Sequence, residues 1–253
     1  MEPFRTFVAC VALSMSCLPT GARSQELPEE ALLLEAARQG NVELWRQALR
    51  LGAGTSARDA SGNSALILAV ASGAEPMLRE VFAMRPDLDV QGQGGMTALH
   101  RAILADQRRS FDRLLAAGAR VDLTDATGTT PLMLALQLGR SEMVDALLAR
   151  RAAADTPDAT GTTPLMLAAQ RGDASRVAQL LPLTANPNAL DSERRSALFL
   201  AMFEQHWAAA RLIAAHRMVD VSTPVQGYPP RFFAEQFGDA ALLAIIDRRL
   251  GRR

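Results

Sequence analysis

The 253-residue sequence contains no lysine, so all 27 of its basic side chains are arginine. A phosphate-cradling loop that ends in a lysine is therefore excluded, and Gly-rich "QGQGG" at Gln91 to Gly95 reads as a turn. The arginine bias, with abundant alanine, fits GC-rich bacterial coding better than a functional choice. Cysteine is limited to Cys10 and Cys17. Aromatic residues are only 5% of the chain, so a core must be built from Ala, Leu, Val, Ile and Met. Charge of either sign is not in excess: the formal net charge is zero, which argues against nucleic acid or an acidic membrane as partner. Histidine is scarce as well. His100, His206 and His216 form no HExxH or Cys/His cluster and no recognisable Ser-His-Asp set, so no metal, cofactor or catalytic group is expected.

The first 24 residues stand apart. Arg5 precedes the apolar run "FVACVALSMSCL" (Phe7 to Leu18), and "PTGARS" follows with a helix breaker and small residues. This is the layout of a cleavable secretory leader, too short to span a bilayer comfortably. Cleavage after Ala22 or after Ser24 would serve equally. A retained anchor helix is the alternative, and so is a lipid anchor on Cys17, although "SMS" is a poor match to the residues that precede such a cysteine. Removal of the leader would take away both cysteines and leave a mature chain without thiol, disulfide or membrane span, with a net charge near −1. The expected location is the periplasm.

What the sequence has in abundance is repetition. "DATGTTPLMLA" occurs at Asp125 to Ala135 and again, unchanged, at Asp158 to Ala168, 33 residues on. An Asp followed by Thr, Gly and Thr could be a phosphorylated-aspartate loop, but such loops carry a lysine, and Ala126 and Ala159 follow the aspartates here. An active-site loop has no physical reason to recur at a fixed interval, whereas a stacked unit does. The register extends without insertion through Gly62, Gly95, Gly128, Gly161, Arg194 and Gly227, and backward to "EEALLLEAARQG" from Glu29. Seven units result, at about 29–58, 59–91, 92–124, 125–157, 158–190, 191–223 and 224–253.

Each unit predicts the same local structure. Asp-x-x-Gly makes a turn in which glycine takes positive φ at little cost. Thr130-Pro131 and Thr163-Pro164 start a helix, with threonine as cap and proline where its missing N–H is harmless. Gly73, Gly139 and Gly172 end that helix in a left-handed conformation. A second, amphipathic helix follows, as in "SEMVDALLAR", with Met143, Val144, Leu147 and Leu148 on one face.

These motifs resemble the ankyrin repeat, whose units read Asp-x-x-Gly-x-Thr-Pro-Leu-His-x-Ala-Ala-x-x-Gly. The likeness covers about Glu29 to Leu250 and implies an all-α solenoid of helix-turn-helix units with hairpin-like turns, capped at both ends. Departures carry their own expectations. His100 alone keeps the family histidine, and Ile67, Met133, Met166 and Phe199 replace it, so polar ties between turns should be reduced. Arg194 replaces a turn glycine, which puts that hairpin in doubt. Pro182 and Pro187 should disturb the second helix of the fifth unit and its exit, so that a loose point, if the array has one, is expected between Leu181 and Ser196. Trp45 should be core, and His206 with Trp207 a packing or capping pair.

The resemblance also implies a non-enzymatic module that docks a protein on its concave face, as a monomer. By position the contacts would come from Met96, Leu104, Gln137, Leu138, Gln170, Arg171, Arg195, Phe203, Glu204, Tyr228, Gln236 and Phe237. For Leu104 and Leu138, packing beneath adjacent tips is an equal alternative. Exported bacterial ankyrin proteins similar to this one serve in peroxide defence or as immunity partners of toxins, and others are effectors sent into host cells. An enzymatic site on the Asp-Thr tips is the rival from another class.

Overall fold

The structure, a computed structural model, describes residues 28–252; the leader, its cleavage site and both cysteines lie outside the described residues. Among the described residues, fourteen α-helices follow one another in pairs. They are α1 (Glu29–Gln39) and α2 (Val42–Arg50), α3 (Ala65–Ser72) and α4 (Glu75–Ala83), α5 (Ala98–Leu104) and α6 (Arg108–Ala117), then α7 (Pro131–Gln137) and α8 (Ser141–Ala149). The series continues with α9 (Pro164–Gln170) and α10 (Ala174–Leu180), α11 (Ala197–Phe203) and α12 (Trp207–Ala215), and α13 (Pro230–Gln236) and α14 (Ala240–Arg249).

Packing proceeds from neighbour to neighbour. Each odd-numbered helix lies against its own partner and against the odd-numbered helices before and after it, and even-numbered helices form a second layer. This is the quasi-linear architecture of a stacked repeat, in which a unit buries its apolar side only against its neighbours. Residues Pro131 to Leu136 of α7 are accordingly all buried, because the helix is covered on three sides. Even-numbered helices bury one stripe: Met143, Val144 and Leu147 in α8 are inside. Trp45 lies in the core as expected.

The ends of the helices follow from local chemistry. Ser64, Thr97, Thr130, Thr163 and Ser196 each accept a hydrogen bond from the backbone N–H three residues on, which satisfies a donor that the first turn leaves open. The turns before them are closed by the aspartates. Asp125 Oδ1 accepts from the N–H groups of Thr127 (2.8 Å) and Thr129 (3.0 Å) and from the Thr127 hydroxyl (2.7 Å), and Asp158 repeats the arrangement. Gly128, at φ 81°, permits both the turn and the stacking, since a Cβ there would come within 2.8 Å of the Ala159 nitrogen.

Two expectations need correction. Arg194 does not deform its hairpin. It adopts φ 60° itself, and the same bonds close the turn: Arg194 N–H to the Asp191 carbonyl at 2.8 Å and Asp191 N–H to the Arg195 carbonyl at 3.1 Å. The prolines do not break the exit from the second helix of the fifth unit either. A 3-10 turn at Leu181–Leu183 prolongs α10, Leu181 and Thr184 are buried, and the Thr184 hydroxyl donates to the Leu180 carbonyl.

The stack is also tied more thoroughly than the scarcity of the family histidine suggests. His100 Nε2 lies 3.1 Å from the Thr129 carbonyl of the next unit. Backbone bonds join the tips as well, beside His100 from Ala126 N–H to Gly94 O and, where the histidine is absent, from Ala159 N–H to Thr127 O and Ser192 N–H to Thr160 O, at 2.7–2.9 Å. A second ladder runs through the loops after the even-numbered helices. There Asp89, Asp122, Asp155 and Asn188 accept from the N–H groups of Arg120, Ala153, Ala185 and Asp220, each in the following unit. Arginines add further ties, with Arg150 donating to the Leu115 carbonyl and Arg249 to those of Ala214, His216 and Arg217.

Candidate protein-binding face

Helix starts and turns of fixed register place the same two positions of every unit, the turn tip and the end of the odd-numbered helix, along one side of the stack. Leu104, Gln137, Leu138, Gln170, Arg171, Phe203, Glu204, Tyr228, Gln236 and Phe237 are all exposed there. Leu104 and Leu138 thus lie open rather than beneath adjacent tips. Met96 and Arg195 are half-buried. Arg195 is committed to its own turn, with Nε 2.8 Å from Asp191 Oδ2 and Nη1 3.0 Å from Glu193. Arg171 donates to the Gln137 carbonyl at 2.8 Å, so its guanidinium is steered across to the previous unit.

The face divides by chemistry. At its start, Ser61, Asn63, Gln93 and Arg101 line a shallow polar depression of about 310 Å³. Burial would raise the Asp59 carboxyl beside it, but bonds from Asn63 and Ser61 and the charge of Arg38 outweigh that and hold it below the ordinary carboxylate range. In the middle, the hydroxyls of Thr127, Thr129, Thr160 and Thr162 pair among themselves at 2.9 Å.

The last two units are aromatic. Phe203 (60% exposed) stacks on Phe199, which meets Phe233 edge-on at 5.6 Å. Tyr228 (51% exposed) packs on Phe232 at 5.0 Å, and Phe237 (47% exposed) lies 5.5 Å from Trp207. Rings held by other rings are rigid amphipathic contact area, which costs little entropy to bring to a partner.

Sequence reasoning placed Tyr228, Phe203 and Phe237 on this side but did not single out Phe232. Phe233 is buried; Phe232 is exposed. The repeat register held the signal, since Phe232 occupies the position of His100, which points toward the following unit. His206 caps nothing with its side chain and instead sits against Gly172, where a Cβ would approach its ring within 2.5 Å.

The carboxylates of the Asp-Thr tips are occupied by their own turns, and among the described residues no group of acidic, His or Cys side chains is arranged to hold a metal ion. No helix among the described residues is long and apolar enough to cross a membrane.

Comparison with known proteins agrees with this architecture. The ankyrin-repeat profile, which spans three copies, matches residues 32–125, 77–156, 105–191 and 147–225 in overlapping frames. No curated protein matches the sequence significantly. Among solved structures, the chain is similar to one in the complex of the predatory endopeptidase Bd0816 from Bdellovibrio bacteriovorus with the immunity protein Bd3460. The identity is 24% and the TM-score 0.63, over 74% of this chain and 98% of that one, a likeness of fold.

Proposed function

The chain belongs to the ankyrin-repeat family, whose stacks are protein-interaction modules and generally non-enzymatic, and we propose that it is an exported periplasmic binder that docks a folded protein along the face just described. The observation that carries this reading is the row of exposed apolar side chains from Leu104 and Leu138 to Phe203, Tyr228 and Phe237, on one side of the stack. Clustered apolar and aromatic side chains at open positions are what an interface core requires. Peroxide defence is the physiological setting of this proposal.

Toxin neutralisation is the alternative. The solved Bdellovibrio complex pairs an endopeptidase with an immunity protein. Steered capture of a basic toxin favours an acidic face. Here Glu193 is paired with Arg195, so neutralisation would rest on apolar contact. Affinity capture from the periplasm, with the bound proteins identified by mass spectrometry, separates the settings by what is retained. Tyr228→Ala combined with Phe237→Ala should weaken capture at least about tenfold, as expected when two aromatic anchors are truncated. Helical content should not change. Undiminished capture by the double variant would remove the aromatic end from the docking face.

A further inference from the structure

A cavity of about 220 Å³ opens between the first two units. Its walls are the loop after α2, the start of α3 and the end of α4 with the loop that follows, and it shares no residue with the docking face. The ladder of loop side chains does not reach this place. Ser56 occupies, one period earlier, the position of Asp89, Asp122, Asp155 and Asn188, and among the described residues its hydroxyl makes no bond to the next loop.

The wall carries a stranded donor. Trp45 is 1% exposed, and its indole N–H meets no acceptor among the described residues. A buried N–H without a partner is rare in folded proteins, because the bond to water that it gave up is not replaced. In the five following units the same position holds Leu78, Phe111, Val144, Val177 and Ala210, all buried and none with a polar atom to satisfy. Carbon side chains thus meet the packing requirement there, and the indole N–H is what the first unit adds. Arg58 and Arg85 also line the cavity, and among the described residues neither is paired with a carboxylate. Asp87, the one acidic residue of the wall, accepts from the Asp89 N–H at 3.0 Å. Leu66, Val81 and Val90, all buried, make the remaining surface apolar.

We infer that this cavity is a binding site for a small aromatic carboxylate. A carboxylate supplies both things the polar wall lacks: acceptor oxygens for the Trp45 N–H and negative charge for Arg58 and Arg85. An apolar ring suits Leu66, Val81 and Val90, in the usual pattern of a pocket with few polar groups on apolar walls. The size agrees as well. A cavity of about 150 Å³ holds benzene, so this one admits a ring that bears one carboxylate.

Titration of the full-length protein with benzoate, up to about 10 mM and followed by the two tryptophan indole N–H resonances, tests the proposal. The Trp45 signal is identified by its loss in Trp45→Phe, a side chain that Phe111 shows to fit the position. It should shift saturably, with a dissociation constant below about 1 mM, while the Trp207 signal stays in place. Benzyl alcohol, of similar bulk but without charge, should bind at least about tenfold more weakly. Arg58→Gln combined with Arg85→Gln should weaken benzoate by at least the same factor, with unchanged circular dichroism. No saturable shift at Trp45, equal affinity for benzyl alcohol, or undiminished binding by the double variant would each overturn it.

Discussion

Arg176 offers the sharpest test of what holds the middle of the stack together. Its side chain is 9% exposed, and it occupies a position filled by Met77 in α4 and Met143 in α8. The guanidinium reaches into the preceding unit, donating to both oxygens of Asp145 and, at 2.8 Å, to the Ser141 carbonyl, and it also meets Gln179 at 2.7 Å. Removing Asp145 leaves a buried cation with neutral acceptors only. Loss of a charge-assisted pair of this kind costs about 1.5–3 kcal/mol, and since Asp145 is 56% exposed the lower half of that range applies.

Replacing Arg176 by Met has a different effect. It restores the side chain that the preceding unit (Met143) and the second unit (Met77) use and leaves no orphan acceptor, because Asp145 then turns to water. Exchanging a buried ion for a packed apolar group of similar volume is neutral or stabilising. The double-mutant cycle of Asp145→Ala and Arg176→Met, followed by denaturant and thermal unfolding, should therefore give a coupling of about 1–2 kcal/mol. Asp145→Ala should be nearly silent in the Met background. Acid should show the same effect. The hydrogen bond from Arg176, reinforced by its charge, holds the Asp145 carboxyl below its ordinary value. The stabilisation is thus present above the unfolded-state carboxylate pKa, about 3.9, and is lost as pH falls toward the folded value. Wild type should lose stability relative to Arg176→Met below about pH 4. A coupling under about 0.5 kcal/mol, or an Arg176→Met variant destabilised by more than about 1 kcal/mol, would refute the assignment of the pair as an inter-unit tie.

Arg194→Gly should raise stability by about 0.5–1 kcal/mol, read from the denaturation midpoint, because a non-glycine residue at φ 60° is strained and glycine only partly offsets that relief through chain entropy. His100 should make the stack acid-sensitive at milder pH. Burial depresses its imidazole below the ordinary value, only partly opposed by the bond to the Thr129 carbonyl and the charge of Asp125. Its contribution is therefore full above about pH 6.5 and lost as pH falls toward the folded value, and His100→Met should flatten melting temperature between about pH 7.5 and pH 5. A slope unchanged by the substitution would place the acid sensitivity elsewhere.

Most of the architecture was legible because each unit is a local problem. Threonine caps, turn aspartates and left-handed glycines act within a few residues, so their outcome follows from sequence spacing alone, and helices fall where the register puts them. Arg194 was harder to judge, because whether a backbone tolerates φ 60° depends on what the closing hydrogen bonds return. The loop ladder of Asp89, Asp122, Asp155 and Asn188 went unnoticed for a related reason. Its donors lie about one period away, so no single unit displays it.

The amino-acid order by itself determined the period, the helix pairs, the turns and the row of positions that form the candidate face. The assembled stack decided which of those side chains are available. Phe199 and Phe232 share a residue type and a register position, yet one is core and the other is surface, because among the described residues a following unit lies over Phe199 and none over Phe232. Arg195 and Arg171 occupy open positions by register but are engaged by Asp191 and by the Gln137 carbonyl. Conformation within a unit is set by short-range hydrogen bonds and sterics. Burial and pairing are set by the neighbouring unit, which lies one whole period away along the chain.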